Sequence, residues 1–151
     1  MKALGKYSNN EIREEFVRRF SAKPGDRMTG ARSVSEYLFT VYVDIDATIE
    51  NFVVTFLDSQ NSVIASEVVS KGTINTAAIY PREVIKRILA LNSANIIISH
   101  NHPSGSITPS ASDRAMTKKL KTACDSIDVD LLDHLIMGKG EYYSFNDKGL
   151  L

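Results

Sequence analysis

The sequence predicts an α/β (α+β) domain in which a mixed β-sheet is flanked by helices. Three observations predict it. Strand-like and helix-like stretches follow one another without strict alternation, which suits a mixed sheet with helices packed on it. The apolar run Ile96-Ile97-Ile98 reads as a buried strand. The length of 151 residues and a hydrophobic content of 43% suit one domain with a real core.

Residues 1–10 are polar and read as loosely held. Glu11–Phe20 spaces Ile12, Phe16 and Phe20 four apart among charges, the pattern of an amphipathic helix. Its apolar stripe is expected to dock on its own domain. Packing in trans, in a homo-oligomer, is the other use of such a face. Pro24-Gly25-Asp26 and Gly30 make residues 21–33 a linker or long turn, in which Arg27 and Arg32 are too scattered to argue for phosphate binding. Residues 1–30 are therefore read as an N-terminal helix and linker, and 31–151 as the domain itself.

Ser33-Val34-Ser35-Glu36 has the form of a capping box and predicts a helix to about Tyr42, with Leu38 and Tyr42 on one face. Asp44–Ile49 either continues that helix or turns. Phe52–Leu57, rich in Val, Phe and Thr, predicts a strand. Asp58–Ser62 supplies a turn, and Val63–Val69 the return strand of a hairpin. Lys71-Gly72-Thr73 ends it, and residues 73–80 are extended or coiled. Pro81 suits the first turn of a helix. Val84, Ile85, Ile88 and Leu89 give that helix one apolar face, with Lys86 and Arg87 outside, and Asn92-Ser93 closes it. After the Ile96–Ile98 strand, a helix runs from Ser110 to near Ser126. Val129–Leu132 and His134–Met137 read as extended. Gly138-Lys139-Gly140 is a hairpin turn and Glu141–Phe145 the last strand. There are no internal repeats or low-complexity tracts.

Composition narrows the function. Eighteen basic residues balance eighteen acidic ones, so no whole-chain charge attracts nucleic acid. The single cysteine, Cys124, excludes an internal disulfide and a four-cysteine zinc site. It falls on the apolar side of its helix with Met116, Leu120 and Ile127, a packing position. The N-terminus has no apolar signal core and no run is long enough to span a membrane, so the expected compartment is the reducing cytoplasm.

The chemistry concentrates in residues 94–113. The strand is expected to deliver His100 and His102 into a loop rich in Pro, Ser and Gly. Residues two apart in an extended segment point to the same side. His100 and His102 therefore aim both imidazoles at one point, while Asn101 faces away. Ser110 and Asp113 have the spacing of a helix N-cap and its N3 residue. Helical side chains lean toward the helix N-terminus, which tilts Asp113 back toward the histidines. Taken alone, Ser110-x-x-Asp113 is a cap, and Asp113 there also favours the helix dipole. Capping and ligation coexist, because a carboxylate has two oxygens. Two imidazoles and a carboxylate make three zinc ligands and leave a fourth position for water, the pattern of a catalytic site.

Amide hydrolysis also needs a general base and a group that steadies the oxyanion. Glu50 stands at the start of the first hairpin strand and Glu67 near the end of the second. Antiparallel strands place both at the same end of the hairpin, and pattern alone leaves the choice open. Other hydrolytic and nucleotide sites are absent from the sequence. There is no His-Glu-x-x-His, no His-x-Glu with paired cysteines, and no Gly-rich loop ending in Lys-Ser or Lys-Thr.

His100-x-His102, seven residues, Ser110, two residues and Asp113 resemble the JAMM motif of the MPN-domain metalloproteases. His-Asn-His-Pro-Ser-Gly at 100–105 and Thr-Pro-Ser at 108–110 resemble the bacterial RadC-like branch of that family. So do Phe56-Leu57-Asp58-Ser59-Gln60, Tyr80-Pro81-Arg82-Glu83-Val84 and Leu132-Asp133-His134. The similarity covers roughly residues 30–151. It implies the MPN/JAB (cytidine-deaminase-like) fold and a zinc hydrolase acting on a peptide or isopeptide bond of a peptide or protein substrate. His100, His102 and Asp113 would hold the zinc.

The family's catalytic glutamate opens a strand soon after the first domain helix, and Glu50-Asn51-Phe52 matches that place. The resemblance thus favours Glu50 as general base, with Glu67 as runner-up. Ser110 matches the family serine that helps to stabilise the tetrahedral intermediate, and its one hydroxyl either caps the helix or faces the substrate. His134 is read as a hydrogen-bonded histidine, with support of a ligand as the alternative. Asn101 and Ser104 could shape the loop or meet substrate, and ordinary turn chemistry suffices to explain them.

RadC-like proteins also suggest a competing reading, a non-catalytic binding module in DNA repair or on mobile elements. Longer members carry an N-terminal helix-hairpin-helix segment, for which this sequence has too few residues before the domain; direct DNA binding is not expected. Lys118, Lys119 and Lys121 read as a solvated helix face. Ser106-Ile107 departs from relatives, which more often have an acidic or polar residue followed by proline, and bears on loop shape alone.

Overall fold

A computed structural model of the chain describes residues 4–20, 25–72 and 79–151. In chain order the elements are α1 (Asn9–Phe20), α2 (Ala31–Tyr42), β1 (Asn51–Leu57), β2 (Val63–Lys71), α3 (Pro81–Leu91), β3 (Asn95–Asn101), α4 (Ala111–Asp125), β4 (Asp130–Met137) and β5 (Tyr142–Ser144). The strands form one five-stranded sheet in the order β2-β1-β3-β4-β5. Among the described residues only β3 and β4 pair in parallel, and α4 connects them; the other three pairings are antiparallel. This is the expected mixed sheet flanked by helices.

The sheet is covered on both faces. Phe52, Val54, Phe56, Ile96 and Ile98 pack against Val84 and Ile88 of α3 and Met116, Leu120 and Cys124 of α4. Leu57, Ile97, Leu135 and Met137 pack against Val34, Tyr37 and Leu38 of α2. Two-sided burial explains why β1 and β3 carry continuous apolar runs rather than alternation. The innermost strand, β3, ends with His100 and Asn101, directly before His102.

Several elements depart from the sequence reading. Helix α2 starts at Ala31, so Ser33 is its N3 residue and not its N-cap. Ser33 Oγ accepts from the Thr29 and Gly30 N–H groups at 2.9 and 3.2 Å, capping the helix from inside its first turn. Of the two readings left open for Asp44–Ile49, the turn holds; Asp46 Oδ1 accepts from the Thr48 N–H at 2.9 Å. Leu89 is 68% exposed; Val84, Ile88 and Leu91 make the α3 contact with the core. The extended pieces on either side of Asp133 are one strand, and the last strand is confined to Tyr142–Ser144. Helix α1 lies against α2. The side chains of Phe16 and Phe20, and residues 73–78 of the extended-or-coiled stretch, lie outside the described residues.

The place where the sequence reading divided β4 holds a bulge. Ile96 pairs with Leu131, but Ile97 pairs with Asp133, so Leu132 is the extra residue. A one-residue slip turns every later side chain to the other face. His134 thereby stands opposite Ile98, on the α4 side of the sheet, together with Leu131.

Candidate metal centre

His100 lies inside β3, opposite Phe52 of β1 and Ile136 of β4, and not in the following loop. The strand is longer than its apolar run because Ser99, His100 and Asn101 are still covered by neighbouring strands. His102 follows one residue past the strand. Its Nδ1 lies 2.8 Å from the Ser106 carbonyl, which only accepts, so Nδ1 carries the hydrogen. Any residue at 106 supplies that carbonyl, so the departure at Ser106 leaves this bond intact. A Cβ at Gly138 would come within 2.7 Å of Ile107 Cγ2 and 2.9 Å of Gly105 O, so the β4–β5 turn reaches this loop through a glycine.

Asp113 comes from the first turn of α4. Ser110 Oγ accepts from the Asp113 N–H at 3.0 Å, and Asp113 Oδ2 accepts from the Ser110 N–H at 2.9 Å, a reciprocal cap. His100 Nε2 lies 3.2 Å from Asp113 Oδ1, His102 Nε2 3.3 Å from Asp113 Oδ2, and the two Nε2 atoms are 2.9 Å apart. Among the described residues these three form a group able to hold a metal ion.

The donor set fits a tetrahedral cation. Zinc-to-ligand distances of about 2.0–2.1 Å imply edges of about 3.3 Å between ligand atoms. The two Nε2 atoms are 2.9 Å apart, and each lies 3.2 or 3.3 Å from one of the two Asp113 oxygens, so the three residues are within reach of one cation. Proton placement agrees. With hydrogen on Nδ1, His102 turns the lone pair of Nε2 toward the point of convergence.

His100 is set by a longer chain. Its Nδ1 lies 2.8 Å from His134 Nε2, His134 Nδ1 lies 2.6 Å from Thr117 Oγ1, and Thr117 Oγ1 donates to the Asp113 carbonyl at 2.7 Å. Because Thr117 spends its one hydrogen on that carbonyl, His134 donates to Thr117 and His100 donates to His134. His100 Nε2 is then also a bare lone pair. Two lone pairs and a carboxylate at such distances repel one another until a cation joins them.

The electrostatics follow from burial. Burial alone would raise the Asp113 carboxyl, but a proton on the facing His100 Nε2, where no metal ion takes its place, and the Ser110 N–H hold it well below the usual carboxylate range. His134 is fully buried, and burial followed by the neighbouring His100 pushes it well below the ordinary histidine value; it is a neutral imidazole. Its ring stacks on Phe145 at 4.4 Å. Asp133 fixes the backbone around it. Its Oδ1 accepts from the His134 and Asn146 N–H groups at 2.7 and 3.0 Å, and its Oδ2 from the Ser144 hydroxyl at 2.6 Å.

The two candidate bases are not at the same end of the hairpin. β2 continues to Lys71, which pairs with Asn51, so Glu67 stands opposite Val54 in mid-strand. There Arg87 of α3 holds it, Nε to Oε2 at 2.8 Å, and keeps its carboxyl below the usual range. Glu50 immediately precedes β1, two residues before Phe52, whose ring stacks on His100 at 6.5 Å. The cap on Ser110 uses an oxygen lone pair and leaves the hydroxyl hydrogen available. Thr117 escaped the sequence reading. Its signal was a threonine four residues after Asp113, on the helix face that carries Met116 and Leu120. A mainly apolar cleft of about 240 Å³ opens beside His102, between Phe39 and Tyr42 of α2, Met137 at the end of β4 and Lys139 of the β4–β5 turn.

A mixed sheet between helices, with two histidines and an aspartate converging at the end of its middle strand, defines a JAB/MPN-type domain. The model of the RadC-like JAB domain family matches residues 28–150, and the chain belongs to that family. A UPF0758 protein of Actinobacillus pleuropneumoniae is 42% identical over 154 residues, covering 98% of this chain and 69% of that protein. One from Vibrio vulnificus is 42% identical over 153 residues, covering 98% and 67%. One from Haemophilus ducreyi is 50% identical over 99 residues, covering 66% and 44%.

Proposed function

We propose that this domain is a zinc-dependent hydrolase that cleaves a peptide or isopeptide bond in a peptide or protein substrate. The observation that carries the reading is the convergence of two Nε2 lone pairs and the Asp113 carboxylate, with both imidazole tautomers set by bonds on their far sides. Zinc held by these three residues supplies a Lewis acid that brings the pKa of a water toward neutrality and polarises a carbonyl. Glu50 accepts the proton of the attacking water and delivers it to the leaving amine. Ser110 donates its hydroxyl hydrogen to the developing oxyanion. His134 and Thr117 hold His100 in the ligating tautomer.

Glu50 is preferred to Glu67 because it stands two residues before Phe52, which pairs with and stacks on His100, whereas Glu67 stands in mid-strand opposite Val54. Among the described residues no helix is long and apolar enough to cross a membrane. A cytoplasmic setting belongs to the same reading, supported by a single, buried thiol.

The test is a screen of quenched-fluorescent peptides and isopeptide-linked pairs with zinc-loaded wild type, Glu50→Gln and Glu67→Gln. The reading expects cleavage by wild type and Glu67→Gln and its loss in Glu50→Gln. Cleavage by zinc-loaded Glu50→Gln at the wild-type rate would contradict it.

A further inference from the structure

Between the two histidines stands a residue that faces the other way and grips the chain on both sides of Glu50. Asn101 is buried at the end of β3. Its Oδ1 accepts from the Asn51 N–H at 2.8 Å and from Asn51 Nδ2 at 3.3 Å. Its Nδ2 donates to the Ile49 carbonyl at 2.9 Å. The Ile49 carbonyl belongs to the peptide group before Glu50, and the Asn51 N–H to the peptide group after it. One side-chain amide therefore holds both peptide groups that flank Glu50.

The surrounding bonds tighten the same segment. Asn51 Nδ2 donates to the Ile49 and Asp46 carbonyls at 2.9 and 2.8 Å, and the Gly72 N–H donates to the Glu50 carbonyl at 2.9 Å. The β1–β3 pairing stops at Phe52 opposite His100. Where the next backbone pair would form, the Asn101 side chain takes its place. Only an amide on a one-carbon stem does this. It offers an acceptor and a donor together, whereas Asp offers only acceptors and would face the Ile49 carbonyl with like charge.

We infer that Asn101 is a positioning residue that fixes Glu50 relative to the metal ligands. Because His100, Asn101 and His102 are consecutive, one rigid segment sets both the ligands and the backbone of the base. The inference rests on the reading of Glu50 as general base. A displacement of a reacting group by about 1 Å costs on the order of 100-fold in rate, which a clamp of three hydrogen bonds from one side chain resists.

The test uses Asn101→Asp and Asn101→Ala, each alone and combined with Glu50→Gln, in the full chain. The probe is acetohydroxamate, a small chelator whose O–H proton passes to a nearby carboxylate as it binds zinc. Zinc per chain and the hydrogen-exchange rate of the Asn51 amide are read in parallel. Both single variants are expected to keep zinc, to exchange the Asn51 amide faster, and to bind acetohydroxamate about tenfold more weakly. In the Glu50→Gln background the same changes should alter acetohydroxamate affinity less than about twofold, since additivity fails where one residue acts through another. Equal weakening in both backgrounds, or zinc-loaded variants that bind the probe like wild type, overturns the inference while leaving the hydrolase reading standing. A wild type that takes up zinc but binds no acetohydroxamate overturns the hydrolase reading, and the inference with it.

Discussion

His134 Nε2 accepts from His100 Nδ1 at 2.8 Å, and the His134 ring is fully buried. A metal-facing imidazole is thus oriented by a second imidazole, not by the more usual carboxylate or carbonyl. The neutral state forced on His134 by burial makes it an acceptor on one nitrogen and a donor on the other. The proton order runs from His100 through His134 and Thr117 to the backbone of Asp113, so His100 and Asp113 are linked behind the point where their side chains converge.

This chain can be cut at its least bulky link. Thr117→Val keeps the shape of the side chain and removes its oxygen, leaving His134 Nδ1 with no partner. Zinc affinity should fall about 10- to 100-fold, measured by competition with a chromophoric chelator. An unchanged affinity in a folded variant would show that the His134 tautomer does not govern the site.

Asp133 is expected to be a stability residue. Asp133→Ala leaves the His134 and Asn146 N–H groups and the Ser144 hydroxyl without their acceptor. Urea denaturation of the metal-free protein should show a loss on the order of 3 kcal/mol at acid pH. Burial pushes the Asp133 carboxyl up despite those three bonds. A raised carboxyl contributes stability that is present below its unfolded pKa and lost as pH rises through the folded one. The gap between wild type and Asp133→Ala should therefore narrow from acid toward neutral pH.

Cys124 should be inert while the protein is folded. Burial, followed by the nearby Asp125, pushes its thiol up to about 11, and the side chain is fully enclosed between α4 and the sheet. At pH 8 the thiolate is then a fraction of about one in a thousand. Iodoacetamide should label the chain only at the rate at which it opens, and rapidly in urea. Fast labelling without denaturant would place the thiol outside the core.

Glu67→Gln removes the exposed pair with Arg87 and nothing from the metal centre. Stability should change by less than about 1 kcal/mol, with zinc content unaltered. A loss of zinc on this substitution would return Glu67 to the site.

The metal-facing residues were legible because their signals are local. His100-x-His102 follows from strand alternation, and Ser110-x-x-Asp113 from helix capping. The hairpin, α3 and α4 were legible for the same reason, each carrying its own period and its own end signals. What escaped depends on contacts far apart in sequence. Asn101 meets Asn51 across 50 residues, and Thr117 meets His134 across 17. The bulge at Leu132 is set by packing, and it decides which face receives His134. Glu67 read as a strand-end carboxylate because β2 continues past Val69 through the polar residues Ser70 and Lys71. Ser33 misled because a serine at N3 resembles a serine at the N-cap until the first turn is placed.

The central claim is a metal held by His100, His102 and Asp113, and the most direct measurement is metal content by elemental mass spectrometry. Wild type and His102→Ala would be purified side by side without added metal. The account predicts about one zinc per chain in wild type and its loss in His102→Ala. Wild type that carries no metal and takes up none when zinc is added would contradict it, as would an equal metal content in the two proteins.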